Sequence, residues 1–278
     1  MEIMKSSNTY MQLIGTSSPG LIMILLDQSG SMSENKKAIE AAKAVNRVIY
    51  EIVLASRSGE QIKDRCSVGV IGYGASIKPV IGGKISEIAN SFLRMEQIDK
   101  KVSDGAGGLI DVRMEMPVWV EPLADNGTPM AEAMTQAHKL INPWVNDRPN
   151  SFPPIVINIT DGEPNDFNKN TGEAPQTQAA AKKLMQLATN DGGLLLFNAH
   201  ITGTLISLGE IQLPNNERIV QDKYARLLFN ISSELPPRLL QEAQKVGMTS
   251  QVGSRGLVFN ATTETLIKLL IFGSSVAR

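Results

Sequence analysis

A single cysteine, Cys66, stands in a chain of 278 residues, so no disulfide forms within it. It lies in the apolar stretch "DRCSVGVIGY" and reads as a buried, inert thiol. Histidine is nearly as scarce: His138 and His200 are the only two, and neither has a cysteine or carboxylate at metal-ligand spacing. Excess charge is missing too. Twenty-seven Lys and Arg against 28 Asp and Glu leave a net charge of −1, with no basic run, which argues against nucleic-acid or anionic-membrane partners. No apolar run approaches the roughly 18 residues that span a bilayer. Residues 1–20 contain one lysine and no unbroken apolar core, so they do not read as a signal peptide. These absences lead to the expectation of a cytoplasmic protein without a membrane partner.

Several catalytic and nucleotide-binding signatures are absent as well. There is no G-x-x-x-x-G-K-[ST] loop, and "GVIGYG" (69–74) has the wrong glycine order for a dinucleotide turn. Ser29 is flanked two residues away by Asp27 and Ser31, not by the glycines of a hydrolase elbow. An EF-hand loop starting at Asp27 needs Gly sixth and Glu twelfth, where Met32 and Ala38 stand. "DFNKNTGE" (166–173) has the acid-and-amide colouring of a calcium loop but carries Thr171 where glycine is needed, and reads as a solvated loop.

What is present is alternation. Leu21–Leu26, 67–74, 153–160 and 193–201 are apolar runs of strand length, the pattern of strands covered on both faces. Helical patterns separate them. From Glu34 to about Ala55 a stripe of Ile39, Ala42, Val45, Ile49, Ile52 and Val53 predicts an amphipathic helix. Further helices are expected at 128–144, with Thr-Pro at its start, at 176–190, around 219–231, over 236–247 and near 262–273. Residues 75–125 are the least regular, with 76–83 and 109–122 as strands or a ribbon and a glycine-rich turn at 103–109. The class is α/β: a doubly wound, mostly parallel central sheet flanked by helices, with a small edge strand or ribbon. A lead-in of residues 1–19 precedes one domain over 20–278.

In an open parallel sheet, ligands bind at the carboxyl ends of the strands. There the chain places Asp27-x-Ser29-x-Ser31 after the first apolar strand and Thr160-Asp161-Gly162 after a later one, with Asn126-Gly127-Thr128-Pro129 at a loop-to-helix junction. Two carboxylates and three hydroxyls are an all-oxygen set, suited to a hard divalent cation. Gly30 and Gly127 are expected to let the loops close tightly around it. A bare D-x-S-x-S arises by chance in roughly one chain in fifteen of this length. It gains weight from the apolar strand before it and the second strand ending in Thr-Asp-Gly.

This set resembles the metal-ion-dependent adhesion site of von Willebrand factor A domains: DxSxS at Asp27, Ser29 and Ser31, then Thr128 in "GTPM" and Asp161 in "ITDGEP". The resemblance covers about residues 20–205. It implies a six-stranded sheet with Mg2+ at its top, with Mn2+ or Ca2+ as alternatives. Ser29, Ser31 and Thr128 would be ligands, Asp27 and Asp161 would act mostly through water, and Gly30, Gly127, Gly162 and Glu163 would shape the site. A Glu or Asp of a protein partner would complete the ion's shell. The look is closest to intracellular bacterial proteins of this class, encoded beside a Ser/Thr kinase, a protein phosphatase or a MoxR-type ATPase in stress, signalling or phage-conflict systems. The expected function is a binding module with no catalytic residues. The alternative is a metal-assisted phosphoester hydrolase, for which Glu163 is the one attractive general base.

Overall fold

The computed structural model describes residues 9–103, 109–202 and 209–275. Its first strand, β1 (Gly20–Asp27), is buried at every position. Ile22, Ile24 and Leu26 enter one core, while Leu21, Met23 and Leu25 enter another on the opposite face. That two-sided burial is why the run is continuously apolar rather than alternating. After α1 (Lys37–Ala55) the chain returns as β2 (Cys66–Tyr73), parallel to β1, and turns back as the antiparallel edge strand β3 (Ile77–Lys84).

A separate antiparallel ribbon follows, β4 (Arg94–Ser103) with β5 (Leu109–Val118). The sequence pattern showed only its second strand; β4 is rich in charge and does not announce itself. The turn expected at 103–109 lies largely outside the described residues. The chain then enters α2 (Met130–Asp147), β6 (Ile155–Thr160), α3 (Pro175–Met185) and β7 (Leu195–Ile201). The remaining elements are β8 (Ile211–Gln212), α4 (Lys223–Asn230), α5 (Pro237–Lys245), β9 (Leu257–Ala261) and α6 (Thr263–Gly273).

The sheet order is β8-β9-β7-β6-β1-β2-β3. The five inner strands are parallel and both edge strands antiparallel. The sheet is thus doubly wound and mostly parallel, as expected, with seven strands rather than six because of the two-residue β8. One face is covered by α1, α5 and α6, and the other by α2, α3 and α4. From β1 the chain builds outward to β2 and β3, then crosses back and builds the other way through β6, β7 and β9. The reversal falls between β1 and β6, where the connections diverge and leave a crevice.

Two of the boundaries that differ from the sequence reading do so for a clear local reason. The first helix starts at Lys37, not Glu34, because residues 30–36 form a 3-10 segment that ends in two left-handed residues. Ile39, assigned to its buried stripe, is 41% exposed. The helix expected to reach residue 190 stops at Met185, since 188–189 pair with 192–193 as a small hairpin. Part of the 1–19 lead-in docks on that hairpin. The N–H groups of Met11 and Gln12 donate to the Asp191 carboxylate at 2.9 and 3.0 Å.

The segment between ribbon and site is anchored to α1 by a buried side chain. Asn46 on α1 accepts from the Trp119 and Val120 N–H groups (2.8 and 2.9 Å) and donates to the Val120 carbonyl (2.8 Å). Trp119 itself is buried and donates its indole N–H to the Ile88 carbonyl at 2.7 Å. Asn46→Ala leaves three buried backbone groups unpaired and should lower stability by about 3 kcal/mol. Urea unfolding measures this. A loss below about 1 kcal/mol would mean that water takes over the three bonds.

Candidate metal centre

Asp27 ends β1 with no exposure to solvent, and both of its oxygens are engaged. Oδ1 accepts from the Ser29 N–H at 2.8 Å, which folds the 27–31 turn. Oδ2 accepts from the Thr160 hydroxyl at 2.7 Å, which ties the end of β1 to the end of β6. Burial pushes the Asp27 carboxyl up to about 6, against the pull of the hydrogen bonds from Ser29 and Thr160. The turn therefore presents the two serine hydroxyls rather than the acid.

Those hydroxyls meet Asp161. Ser31 Oγ lies 2.9 Å from Asp161 Oδ1, Ser29 Oγ lies 3.4 Å from it, and the two serine oxygens are 3.2 Å apart. Three oxygens from two loops thus form a triangle at the crevice between β1 and β6. As hydrogen bonds, these contacts hold the triangle together. Its edges also fit a cation: adjacent oxygens of an octahedral magnesium shell are about 2.9 Å apart. Ser29 and Asp161 are buried, whereas Ser31 is exposed, so the triangle opens outward on one side.

Thr128 stands on the facing lip. Asn165, four residues beyond Asp161, clamps it there by accepting from the Thr128 N–H (2.8 Å) and donating its own N–H to the Thr128 carbonyl (3.0 Å). The Thr128 side chain is half-buried and, among the described residues, makes no direct bond to the triangle. Its loop is drawn inward by the Asp125 N–H, which donates to the Gln28 carbonyl at 2.6 Å. Gly127 has φ +82°, a left-handed conformation that favours glycine. Gly30 is not the tight point it was expected to be, since a Cβ there would lie 3.6 Å from Asn126 Oδ1, an ordinary contact. The tight point is Gly74, just beyond β2, where a Cβ would come within 2.6 Å of the Gln28 carbonyl oxygen. A Cβ on Gly162 would stand 3.7 Å from Ser31 Oγ. Glu163 pairs with Lys169 at 3.2 Å, its carboxylate turned to that lysine.

Two site residues escaped sequence reasoning. Lys37 Nζ donates to Asp161 Oδ2 at 2.8 Å and lies 3.4 Å from the Ser31 carbonyl, with its side chain 11% exposed. The sequence carries only a faint signal, two lysines in the first turn of the expected helix, where the macrodipole disfavours cations. The second is His200, opposite Thr160 in the sheet. It accepts the Asn260 N–H at Nδ1 (3.3 Å) and lies near the Asp161 backbone, while its ring stacks on Phe259, 4.3 Å between centroids. Burial pushes His200 down to about 4, so it is a neutral prop beneath Asp161. Nothing in an apolar strand pattern marks such a histidine.

The calcium-coloured loop uses its polar groups internally. Asp166 accepts from the Gln176 and Thr177 N–H groups at the start of α3, and Asn168 Oδ1 accepts from Asn170 N–H. Lys223 Nζ donates to the Lys169 and Asn170 carbonyls at 3.2 and 2.6 Å. Among the described residues, no three His, Cys, Asp or Glu side chains gather as a metal-ligand group. No helix there is long and apolar enough to cross a membrane.

No protein-family model matches the chain, and no curated protein matches it in sequence. Solved structures do. The pilus adhesin SpaC from Lactobacillus rhamnosus GG, in its open conformation, superposes with a TM-score of 0.53 at 14% identity, over 94% of this chain and 30% of SpaC. That likeness establishes a shared α/β fold. Proximal thread matrix protein 1 of the mussel byssus, with zinc in its metal-ion-dependent adhesion site, gives a TM-score of 0.43 at 17% identity, over 78% of this chain and 42% of that one. The ArnB paralog VWA2 from Sulfolobus acidocaldarius gives 0.38 at 14% identity, over 66% and 35%. These last two are too loose to carry an argument alone. The chain spans about a third of SpaC and less than half of the other two.

The site's two shifted groups oppose each other in the metal-free protein. His200, neutral when folded, contributes stability that is complete above pH 6.5 and is lost as pH falls toward 4. Asp27 acts in the reverse sense, and its buried charge destabilises the fold as pH rises from 3.8 through 6. Each effect amounts to about 3 kcal/mol, so they largely cancel between pH 4 and 6. Asp27→Asn removes one of them. Urea titrations in EDTA should show a nearly flat wild type over that window and a variant that weakens steadily toward acid. Parallel profiles for the two proteins would overturn the assignment.

Proposed function

We propose that this chain is a metal-dependent protein-binding module. Ser29, Ser31 and Asp161 hold a divalent cation, Mg2+ first among the candidates. The observation that carries the reading is the oxygen triangle, with edges of 2.9, 3.2 and 3.4 Å, at the reversal of strand order. Asp27 shapes the turn and adds negative charge from below, and Thr128 supplies a hydroxyl from the opposite lip. When bound, the ion offers an open coordination position to a Glu or Asp of a protein partner. The chain's own loops do the rest: Ser31 lies exposed at the opening, and the 125–128 and 161–165 loops frame it. By resemblance to bacterial relatives, the setting is a cytoplasmic stress, signalling or phage-conflict system with a kinase, phosphatase or ATPase as partner.

Titration of metal-stripped protein with Mg2+ followed by calorimetry should reveal one site. Ser31→Ala, an exposed change that spares the fold, should weaken it on the order of tenfold or more. Pull-downs with Mg2+, with EDTA and with the Ser31→Ala protein then ask whether partner capture follows the metal. Partners retained through both losses would place recognition elsewhere on the surface.

A further inference from the structure

We infer that Lys37 is a built-in cation of the metal centre and that it makes the loaded site select an anionic ligand. The inference rests on the metal reading above and concerns what that site will accept. The geometry divides the two oxygens of Asp161 between two tasks. Oδ1 belongs to the triangle with Ser29 and Ser31, while Oδ2 holds the Lys37 ammonium at 2.8 Å. The lysine therefore neutralises the carboxylate without standing in the triangle.

The chain accepts unfavourable local structure to put it there. Asn35 and Lys36 are consecutive left-handed residues, at φ +50° and +60°, and neither is glycine. Such residues cost roughly 1–2 kcal/mol each and persist where the surroundings over-determine them. Lys37 then begins α1 at the positive end of the helix dipole, next to a second lysine, with its stem buried. Each choice opposes helix formation, and the compensating contact is Asp161. Glu34 Oε2, 3.8 Å from Nζ, has a side chain 70% exposed, so water screens most of its charge.

Counting charge gives the consequence. Asp27 and Asp161 bring two negative charges and Lys37 one positive, a sum of −1. A dication raises the loaded pocket to +1, and one carboxylate from a partner returns it to neutral. Without the lysine the loaded pocket would already be neutral, and a carboxylate would leave it negative. Desolvated charge is costly, so this difference of one unit sets which ligand is preferred.

The test uses Mn2+ as probe, read by water-proton relaxation at constant ionic strength, with acetate as the carboxylate. Wild type should bind Mn2+ and lose relaxation enhancement as acetate displaces metal-bound water. Lys37→Gln keeps a donor but loses the charge. It should bind Mn2+ about tenfold more tightly and need about tenfold more acetate for the same loss. Lys37→Arg should behave as wild type. If Lys37→Gln does not fold without metal, Lys37→Met takes its place, with folding checked by circular dichroism. A neutral variant that matches wild type in both titrations would reduce Lys37 to a structural strut and overturn the inference, leaving the metal reading intact. Failure of wild type to bind Mn2+ would sink both.

Discussion

Asp27 is a carboxylate in a place without water, bridging two strands that the chain connects only through more than a hundred residues. One oxygen fixes the turn that follows β1, and the other takes the hydroxyl at the end of β6. These are the strands on either side of the reversal in the sheet, where backbone connections leave a gap. The link closes that gap from beneath and sets the distance between the 27–31 and 160–165 loops. Ser29, Ser31 and Asp161 meet because of it. A neutral residue would relieve the buried charge but would not offer two acceptors to two donors at once. The site is therefore built on a locally unfavourable group held by its surroundings, the pattern expected where function overrides stability.

A second layer of support lies below and beside the first. Tyr224 on α4 brings its hydroxyl to 3.3 Å from Thr160 Oγ1, and its ring meets His200 edge-on. Tyr73 donates to Asn158, which donates to Asn198, which donates to Ser232. That chain of buried polar groups crosses the sheet from β2 through β6 and β7 to the end of α4. Each member uses its hydrogen-bonding capacity on the next, which fixes side chains where an apolar core would leave sheet and helices freer to slide.

The sheet's central strands and the polar ends of β1 and β6 were legible because their signals are local. A strand covered on both faces must be apolar throughout, and the residues at its end then stand out. The doubly wound class followed from the alternation of such strands with helices. Lys37 was hidden by distance: its partner lies 124 residues away, and beside Lys36 it looks like one more solvated helix charge. His200 was hidden by its context within an apolar strand. Asn46 was hidden on a helix, where an amide usually faces water but here replaces a pairing strand for residues 119–120. Gly74 outweighs Gly30 because a backbone-to-backbone approach is a property of two loops, and sequence spacing describes only one.

The two edge strands limit how this domain can join other chains. An open row of backbone donors and acceptors is a template for a strand from elsewhere, and long flat edges invite it. Here one border is β3, "IKPVIGGK", with lysines at two positions, a proline that cannot donate, two glycines and a break in register opposite Val70 and Ile71. The other border is β8, only two residues long. Neither offers an incoming peptide a run of pairing groups. Assembly through main-chain pairing is thus discouraged along both sides of the sheet, and contact is steered toward side-chain chemistry at its ends.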